Sequence, residues 1–332
     1  MRIIRKNHLI AGIVSINIIV VLGFLLKAYW SRWPDHSVIH SYGDSAFQHT
    51  PFVLENNLIV VDVTINENRQ EHLRMGVDTG NPYSIITNGA SHRLKLNGIW
   101  RWTLISGSWI PSWRTWIEKA EIGGIIIKDA MFTMRDLGTR PQKNGEPLEG
   151  LLGYRGFLEG AILQIDYPAR ELRLYPALHA ESLSTLNDRV SLQMESFNDE
   201  RLVPLVNKVL VDGHPVRALL DTGSSFNVSL TTRIIDKYKL NIDWDDSGQC
   251  LSKDINGVER RRKKGRVKSL TIGGLELRST EVCLEVGEKD WDVNIGGAAL
   301  RPYVVTFDYI HKQVFIEQST RSSLINSTSA ES

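Results

Sequence analysis

Residues 217–230 read RALLDTGSSFNVSL, in which an apolar run leads into Asp-Thr-Gly at 221–223 and a second apolar run follows. Short apolar runs separated by turn residues predict two strands joined by a tight turn, with Asp221 at the end of the first strand. An ordinary surface turn is the simplest interpretation of this stretch alone. The same text occurs earlier as LRMGVDTGNPYSIIT at residues 73–87, so Asp78 and Asp221 form a candidate pair.

A second repeated landmark, apolar residues followed by glycine, strengthens the pair. It is Leu-Leu-Gly ending at Gly153 in the first half, and Ile-Gly ending at Gly296, after Val293, in the second. Gly153 follows Asp78 by 75 residues, and Gly296 follows Asp221 by the same 75. Each glycine precedes an apolar run that ends in Asp-Tyr, LQIDY and VTFDY. Repetition at such a long period predicts a duplicated domain.

Two Asp-Thr-Gly turns in one chain, each with its downstream glycine, resemble the single-chain, two-lobed members of the pepsin and retropepsin clan of aspartic proteases. The resemblance covers roughly residues 47–318. It implies an all-β fold with two homologous β-barrel lobes related by a pseudo-twofold axis. We expect the lobes at residues 51–176 and 189–318, joined by a polar linker at 177–188. The Ser-rich segment 319–332 is predicted to be a disordered tail.

The chemistry of this clan needs two carboxyl groups that share one site. Two carboxylates a few ångströms apart cannot both ionise cheaply, so the pair holds one proton over a wide pH range. One member then accepts a proton from a water while the other donates to the peptide carbonyl. By resemblance, the catalysts are Asp78 and Asp221, and the threonines tie the two turns together while the glycines let the backbone pass closely. The residues assigned to this supporting role are Thr79, Gly80, Thr222, Gly223 and Ser224.

The two turns differ in the residue that follows them. Ser224 follows the second turn, and serine at this place often hydrogen-bonds the catalytic carboxylate in the clan. The first turn is followed by Asn81 and Pro82, and proline stiffens the chain and has no backbone N–H. We therefore expect the environment of Asp78 to differ from that of Asp221.

A tryptophan-rich segment at residues 100–124 is the candidate for a hairpin flap that covers a bound substrate. Two interpretations remain open: the tryptophans form a flap tip and apolar subsites, or they fill the core of the first lobe or cover the end of its barrel. The tentative substrate-binding residues are at the centre of the segment, Ser106, Gly107, Ser108 and Trp109; the other tryptophans are Trp100, Trp102, Trp113 and Trp116.

The N-terminus predicts a membrane anchor. Residues 9–26 carry no charge, and these 18 positions make about 27 Å of helix, enough to cross the hydrocarbon core of a bilayer. Basic residues precede the run, so the catalytic part is expected outside the cytoplasm of a bacterial-type cell, at the inner membrane. A cleaved signal peptide is the alternative. In this scheme residues 1–30 form the cytoplasmic N-terminus and the transmembrane signal anchor, and residues 31–50 form a stalk.

Composition excludes several other classes. The net charge of +1 argues against a nucleic-acid-binding chain. No P-loop, H-E-x-x-H or G-x-S-x-G motif occurs, so neither a cofactor nor a metal is expected.

Cys250 and Cys283 either form one disulfide or remain separate thiols. The basic run 260–264 is interpreted as a solvated loop, or less readily as a patch for acidic peptides or an anionic surface.

The expected function is therefore that of a membrane-anchored aspartic endopeptidase with a monomeric catalytic unit and polypeptide substrates. The rival is a catalytically inactive, membrane-anchored module that binds peptides or proteins on the same fold. Two complete Asp-Thr-Gly turns argue against the rival, because buried acids are costly without a task.

Overall fold

The computed structural model describes residues 21–23, 38–41, 49–65, 68–105, 108–137, 146–176, 189–195, 203–253, 259–277, 280–287 and 289–318. The chain divides into two compact units, Met1–Asp35 and His36–Ser332. Of the predicted anchor at 9–26, only residues 21–23 are described, and they are helical. The predicted linker and tail lie outside the described residues. No helix within the described part of the chain is long and apolar enough to cross a membrane.

From Val38 onward, the described residues of the first half lie mostly in strands, together with a short helix at Asn88–Arg93 and an irregular turn at Tyr154–Leu158. Its elements are β1 (Val38–Ser41), β2 (His49–Pro51), β3 (Val53–Glu55), β4 (Leu58–Ile65), β5 (Asn68–Val77), β6 (Ile85–Ile86), α1 (Asn88–Arg93), β7 (Gly98–Ile105), β8 (Ser108–Ile122), β9 (Ile125–Met134), β10 (Gly150–Leu152), β11 (Ala161–Asp166) and β12 (Glu171–Pro176).

The second half follows the same order. Its elements are β13 (Val190–Glu195), β14 (Leu205–Val211), β15 (His214–Asp221), β16 (Val228–Thr231), α2 (Thr232–Tyr238), β17 (Asp243–Lys253), β18 (Glu259–Arg266), β19 (Leu270–Ile272), β20 (Leu275–Glu276), β21 (Glu281–Glu285), β22 (Val293–Gly296), α3 (Gly297–Leu300), β23 (Tyr303–Asp308) and β24 (Gln313–Gln318).

Several strand pairings are the same in both halves. β5 runs antiparallel to β4 and parallel to β10, and β15 runs antiparallel to β14 and parallel to β22. β10 pairs antiparallel with β6, which pairs parallel with β9, and β22, β16 and β21 repeat this arrangement. β4 meets β8 as β14 meets β19. This common order supports the predicted duplication.

The all-β prediction is confirmed, but two barrel lobes are not. Within the described residues, the strands lie in two sheets of nine and fifteen strands. In the first sheet the pairing of β8 with β9 closes a ring through β6, β10, β5 and β4. The second sheet contains the equivalent strands of the second half, but its pairings do not close such a ring in the described part of the chain.

The two halves meet in the second sheet. Its order there is β13-β24-β23-β11-β12-β2, so β11 of the first half lies antiparallel to β23 of the second. Gln164 stands opposite Thr306, and its Nε2 donates to the buried Thr306 Oγ1 at 3.1 Å. The LQIDY and VTFDY strands are therefore antiparallel neighbours, which is consistent with a pseudo-twofold relation between the halves.

Hydrogen bonds from two equivalent backbone N–H groups to carboxylates repeat as well. The backbone N–H of Arg74 donates to Glu149 Oε2 at 3.1 Å, and that of Arg217 donates to Asp292 Oδ2 at 3.0 Å. The Arg217 guanidinium also pairs with Glu195 at 2.8 Å. The arginines four residues before each aspartate thus fix the edges of the strands that carry the aspartates.

One short turn, between β14 and β15, shows how the sequence directs these strands. Asp212 and Gly213 both have positive φ, 48° and 81°, between the paired Val211 and His214. This is the type I′ geometry that matches the twist of a two-residue hairpin, and Asp-Gly is a preferred sequence for it. Asp212-Gly213 therefore accounts for the tight hairpin between β14 and β15.

Two sequence interpretations need correction. Val38–Ser41, inside the predicted stalk, forms β1 and pairs with β9, because the exposed edge of β9 offers unpaired backbone groups. The basic run 260–264 lies in β18, not in a loop, and β18 pairs with both β17 and β21. Arg262 within it is paired with the buried Glu285. Alternation along the strand leaves part of the run exposed.

The open question of the cysteines is settled by this arrangement. Cys250 lies in β17 and Cys283 in β21, on either side of β18. They form a disulfide with their Cα atoms 6.0 Å apart. It joins strands that are 33 residues apart in sequence and anchors the β17–β18 hairpin to the rest of the sheet.

Candidate active site

Asp78 lies directly after β5, where the strand turns away from the sheet. Its backbone N–H donates to the carbonyl oxygen of Leu152 at 3.0 Å, which continues the parallel pairing of β5 with β10. The pairing sets Asp78 beside Gly153, the landmark glycine of the first half. Asp78 is partly exposed, whereas the next residue, Thr79, is fully buried.

Asp221 has the equivalent position at the end of β15. It pairs with Gly296 in the parallel alignment of β15 and β22. The equal spacing of 75 residues in the sequence therefore corresponds to one shared structural relation, a turn aspartate beside a landmark glycine. Asp221 is also partly exposed and Thr222 fully buried.

Neither landmark glycine has room for a side chain. A Cβ on Gly153 would lie 2.4 Å from the carbonyl oxygen of Tyr83, and one on Gly296 would lie 1.9 Å from that of Phe226. Tyr83 and Phe226 belong to the segments that follow the two turns. The glycines allow each of these segments to pass across the neighbouring strand.

The two threonines join the turns through a reciprocal network. Thr79 Oγ1 donates to the carbonyl oxygen of Leu220 at 2.8 Å and accepts from the Thr222 N–H at 3.1 Å. Thr222 Oγ1 donates to the carbonyl oxygen of Val77 at 2.7 Å and accepts from the Thr79 N–H at 3.0 Å. Both hydroxyls are buried, so each bond is protected from competition by water.

Each turn glycine lies against the carboxyl group of the opposite turn. A Cβ on Gly80 would lie 2.5 Å from Asp221 Cγ, and a Cβ on Gly223 would lie 2.3 Å from Asp78 Cγ. Only glycine permits this approach. The structure thus brings together Asp78, Asp221 and the four Thr and Gly residues that the sequence singled out.

Asn294 is a residue of this site that the sequence analysis missed. Its Nδ2 donates to Asp221 Oδ2 at 2.9 Å, while the Gly223 N–H donates to Asp221 Oδ1 at 2.9 Å. Both carboxyl oxygens of Asp221 therefore accept a hydrogen bond from within the second half. Asn294 lies in β22, two residues before the landmark glycine. A comparison of the two halves would have shown it, because the equivalent residue of the first half is the apolar Leu151.

The hydrogen bonds of the Ser224 hydroxyl go to Phe226 and not to the Asp221 carboxyl group. Its Oγ lies 3.3 Å from the Phe226 N–H and 3.4 Å from the Phe226 carbonyl oxygen. In the first half, Asn81 Oδ1 accepts from the Tyr83 N–H at 3.3 Å. Ser224 and Asn81 thus each hold the segment that follows their own turn. The side-chain hydrogen bond to the Asp221 carboxyl group that was expected from Ser224 comes from Asn294 instead.

Two equivalent tyrosines lie beneath the turns, Tyr167 after β11 and Tyr309 after β23. Burial raises the pKa of the Tyr167 hydroxyl, opposed by the charge of Arg301 and assisted by that of Asp221. Burial likewise raises the pKa of Tyr309, with smaller contributions from Tyr154 and Asp78. Each tyrosine therefore stays neutral beside one aspartate of the pair. Within the described residues neither hydroxyl has a hydrogen-bond partner.

The tryptophan-rich segment forms the hairpin β7–β8. Trp100 stands opposite Trp113, and the two side chains are 47% and 53% exposed, so this pair does not fill the core. Ser106 and Gly107 lie outside the described residues. Ser108 begins β8 and Trp109 stands opposite Leu104, and the Trp109 side chain also lies outside what is described. The assignment of these four residues to substrate binding stays a prediction.

Within the described ranges, no group of three or more His, Cys, Asp or Glu side chains is arranged to hold a metal ion.

Comparison with known proteins supports the resemblance. Residues 207–301 match the family model described as "gag-polyprotein putative aspartyl protease". This range contains Asp221 and Gly296. The fold is similar to the crystal structure of an aspartic proteinase from Irpex lacteus, with a TM-score of 0.54 and 12% sequence identity over 83% of this chain and 98% of that one. The chain thus has the fold of an aspartic proteinase.

Proposed function

We propose that this protein is an aspartic endopeptidase that hydrolyses peptide bonds with a water activated by Asp78 and Asp221. The observation that carries the proposal is the approach of each turn glycine to the aspartate of the opposite turn, held by the Thr79–Thr222 network. A binding module has no need for two partly exposed carboxyl groups, each held against the glycine of the opposite turn. The matched family and the fold support a protease with polypeptide substrates.

The proposed mechanism follows from the closeness of the two acids. Because two adjacent carboxylates repel each other, the pair retains one proton between them. The ionised member takes a proton from the water, whose oxygen attacks the peptide carbonyl carbon, and the protonated member donates to the carbonyl oxygen. The threonine network positions the acids and takes no part in the proton transfers. Both acids come from one chain, so the proposed catalytic unit is a monomer.

The hairpin β7–β8 is proposed to cover the substrate. Its exposed pair, Trp100 and Trp113, offers aromatic surface to apolar side chains of a peptide. We place the contact at the tip, residues 106–109, as the sequence indicated. Trp113→Ser is expected to raise KM for apolar peptides more than it lowers kcat.

We further propose that the chain is anchored by residues 9–26, with the catalytic part outside the cytoplasm at the inner membrane. The Cys250–Cys283 disulfide supports this placement, since disulfides persist in oxidising compartments. Alkaline phosphatase fused after residue 318 is expected to be active in cells, and a reporter that works only in the cytoplasm to be silent. The reverse pattern would refute the placement.

The test of the proposed activity is cleavage of unfolded casein by the full-length chain at mildly acidic pH, with protection by a statine-type inhibitor. Asn has nearly the same shape as Asp, so neither Asp78→Asn nor Asp221→Asn should disturb the fold. Each is expected to lower kcat by a factor of about a hundred to ten thousand. The double variant should be scarcely worse, because the acids act as a unit. Near-normal cleavage by Asp78→Asn with an inactive Asp221→Asn would instead favour a dimer that pairs two second halves.

A further inference from the structure

The β17–β18 hairpin of the second half corresponds to the β7–β8 hairpin, which is proposed to cover the substrate in the first half. Each hairpin follows a short helix after a connection of four residues, 94–97 and 239–242. Each half also has a Gly-Gly pair further along, Gly123-Gly124 and Gly273-Gly274, and all four glycines have positive φ. The duplication therefore gives the second half its own hairpin at the position of the proposed flap.

The Gly-Gly pairs show which residues of the two hairpins correspond. Trp113 in β8 lies ten residues before the first glycine of its pair, and Lys263 in β18 lies ten residues before the first glycine of the other pair. Burial follows the same course on both strands, because Trp113 and Lys263 are exposed while Ile117 and Val267, four residues further along, are buried. Lys263 is therefore the second-half equivalent of Trp113.

The exposed faces of the two hairpins differ in chemistry. The first hairpin presents the exposed tryptophan pair of β7 and β8. In the second hairpin Lys263 stands opposite Gln249 and Arg261 stands opposite Leu251, and all four side chains are exposed. Residues two apart in a strand share a face, so these four side chains form one surface, which we call the cationic face.

The positive charge of the cationic face is only weakly neutralised by the protein. Within the described residues Lys263 makes no ion pair, and Arg261 pairs with the exposed Glu259 at 3.3 Å. An exposed pair contributes little, because water screens it and both side chains lose freedom. The residues opposite, Gln249 and Leu251, carry no charge. The cationic face is therefore suited to an anionic group from outside the sheet.

The other face of the hairpin attaches it to the segment after the second turn. Arg262 Nη2 donates to the buried Glu285 Oε1 at 3.0 Å, and the Arg262 guanidinium lies 5.0 Å from the centre of the Phe226 ring. The Phe226 N–H donates in turn to Ser224 Oγ, directly after the second Asp-Thr-Gly. The disulfide joins the same hairpin to β21. The cationic face thus belongs to a hairpin that is fixed to the segment beside the paired acids.

We propose that the cationic face binds an acidic side chain of the substrate, so that the protein prefers peptides with apolar residues on one side of the cleaved bond and Glu or Asp on the other. The inference rests on the proposed function and deepens it by naming the substrate class. Two hairpins related by a pseudo-twofold axis meet different ends of a peptide that lies across the axis. The tryptophan pair meets the apolar end, and Arg261 and Lys263 meet the carboxylate.

The experiment compares fluorogenic peptides that share an apolar segment and differ in one residue, Glu or Gln, placed at successive positions on either side of the cleaved bond. The full-length chain is assayed at pH about 5.5, where a glutamate side chain is ionised. At positions on one side only, KM should be about threefold to tenfold lower for the Glu peptide than for the Gln peptide.

The variants assign this preference to the cationic face. Lys263→Gln combined with Arg261→Gln should abolish the difference in KM and leave kcat for the Gln peptide unchanged. Lys263→Glu should reverse the preference, towards a peptide with Lys at the same position. Arg266→Gln is the matched control, because it removes an exposed cation from the same strand, opposite Asp243 at the base of the hairpin, and should keep the preference.

Two results would overturn the inference directly: a wild type that cleaves the Glu and Gln peptides equally well, or a double variant that keeps the preference. Assays in vesicles of neutral lipid and in vesicles with phosphatidylglycerol test an anionic lipid surface as the partner. If the double variant loses cleavage of both peptides equally, and only with phosphatidylglycerol, the face binds lipid and the inference is wrong.

Binding measured without turnover separates the inference from the proposed function. Fluorescence anisotropy of the labelled peptides with the full-length chain should show tighter binding of the Glu peptide, and the double variant should lose the difference. A wild type that binds the Glu peptide more tightly yet cleaves neither peptide would overturn only the proposed function. Equal binding of both peptides by a chain that cleaves them would overturn only the inference.

Discussion

The threonine network allows one stability prediction to be worked out from the contacts. Thr222→Val keeps the shape of the side chain and removes its hydroxyl. The variant loses the bond to the Val77 carbonyl oxygen at 2.7 Å and leaves the buried Thr79 N–H without its acceptor at 3.0 Å. A hydrogen bond contributes about 0.5–1.5 kcal/mol net, and an unsatisfied buried donor costs about 1–3 kcal/mol. We expect the free energy of unfolding to fall by about 2–4 kcal/mol.

The assay is chemical denaturation of the full-length chain, followed by fluorescence of its nine tryptophans. Thr222→Ser is the matched control, because it retains the hydroxyl and both hydrogen bonds, and it should recover most of the loss. Because Thr79 makes the equivalent two bonds, Thr79→Val should cost a similar amount.

The double variant sharpens this test. The groups that Thr79→Val leaves without a partner, the Leu220 carbonyl and the Thr222 N–H, are different from those that Thr222→Val affects. The two losses should therefore be nearly additive, although the residues are in contact, where non-additivity is common. A Thr222→Val variant as stable as the wild type, or as stable as Thr222→Ser, would refute the reasoning.

Three further predictions concern single groups near the turns and the sheet edge. Gly80→Ala places a Cβ 2.5 Å from Asp221 Cγ, so kcat should fall at least about a hundredfold while thermal unfolding shows a folded chain. Tyr309→Phe removes a buried hydroxyl that has no partner within the described residues, and should leave the melting temperature unchanged or raise it. A hydrogen bond from His49 lowers the pKa of Glu171. The contact therefore stabilises the fold above the ordinary pKa of the carboxyl group, and this stabilisation is lost as the pH falls through the lowered pKa. Glu171→Gln should flatten the dependence of the unfolding free energy on pH in that acidic range, and an unchanged dependence would contradict the prediction.

Most of the fold could be predicted because the duplication left a regular signal. Equal separations of 75 residues between aspartate and glycine appear in the structure as the same parallel pairing in both halves. The β14–β15 hairpin was predictable because Asp212-Gly213 has a strong local preference for one turn. Such features depend on residues close in sequence or on exact repetition.

Features that depend on tertiary context were harder to predict. The basic run 260–264 resembles a solvated loop by composition, yet it lies between two strands, and Arg262 pairs with the buried Glu285. Nothing local reveals that partner, which is 23 residues away. Val38–Ser41 similarly shows no apolar alternation, and its strand depends on the edge that β9 offers.

Asn294 lies between these two cases, and its detection was possible in principle. Once 75-residue spacing is taken to mean that Asp221 pairs with Gly296, period-two alternation already puts residue 294 on the face of the aspartate. A position-by-position comparison of the halves would then have set a polar amide against Leu151 at a buried strand position. The landmark before Gly296 was interpreted as apolar, although Asn294 within it is polar. In a duplicated site, a polar residue at a buried strand position in one half alone therefore indicates where the two halves have diverged, because burying a polar group is costly unless it has a partner.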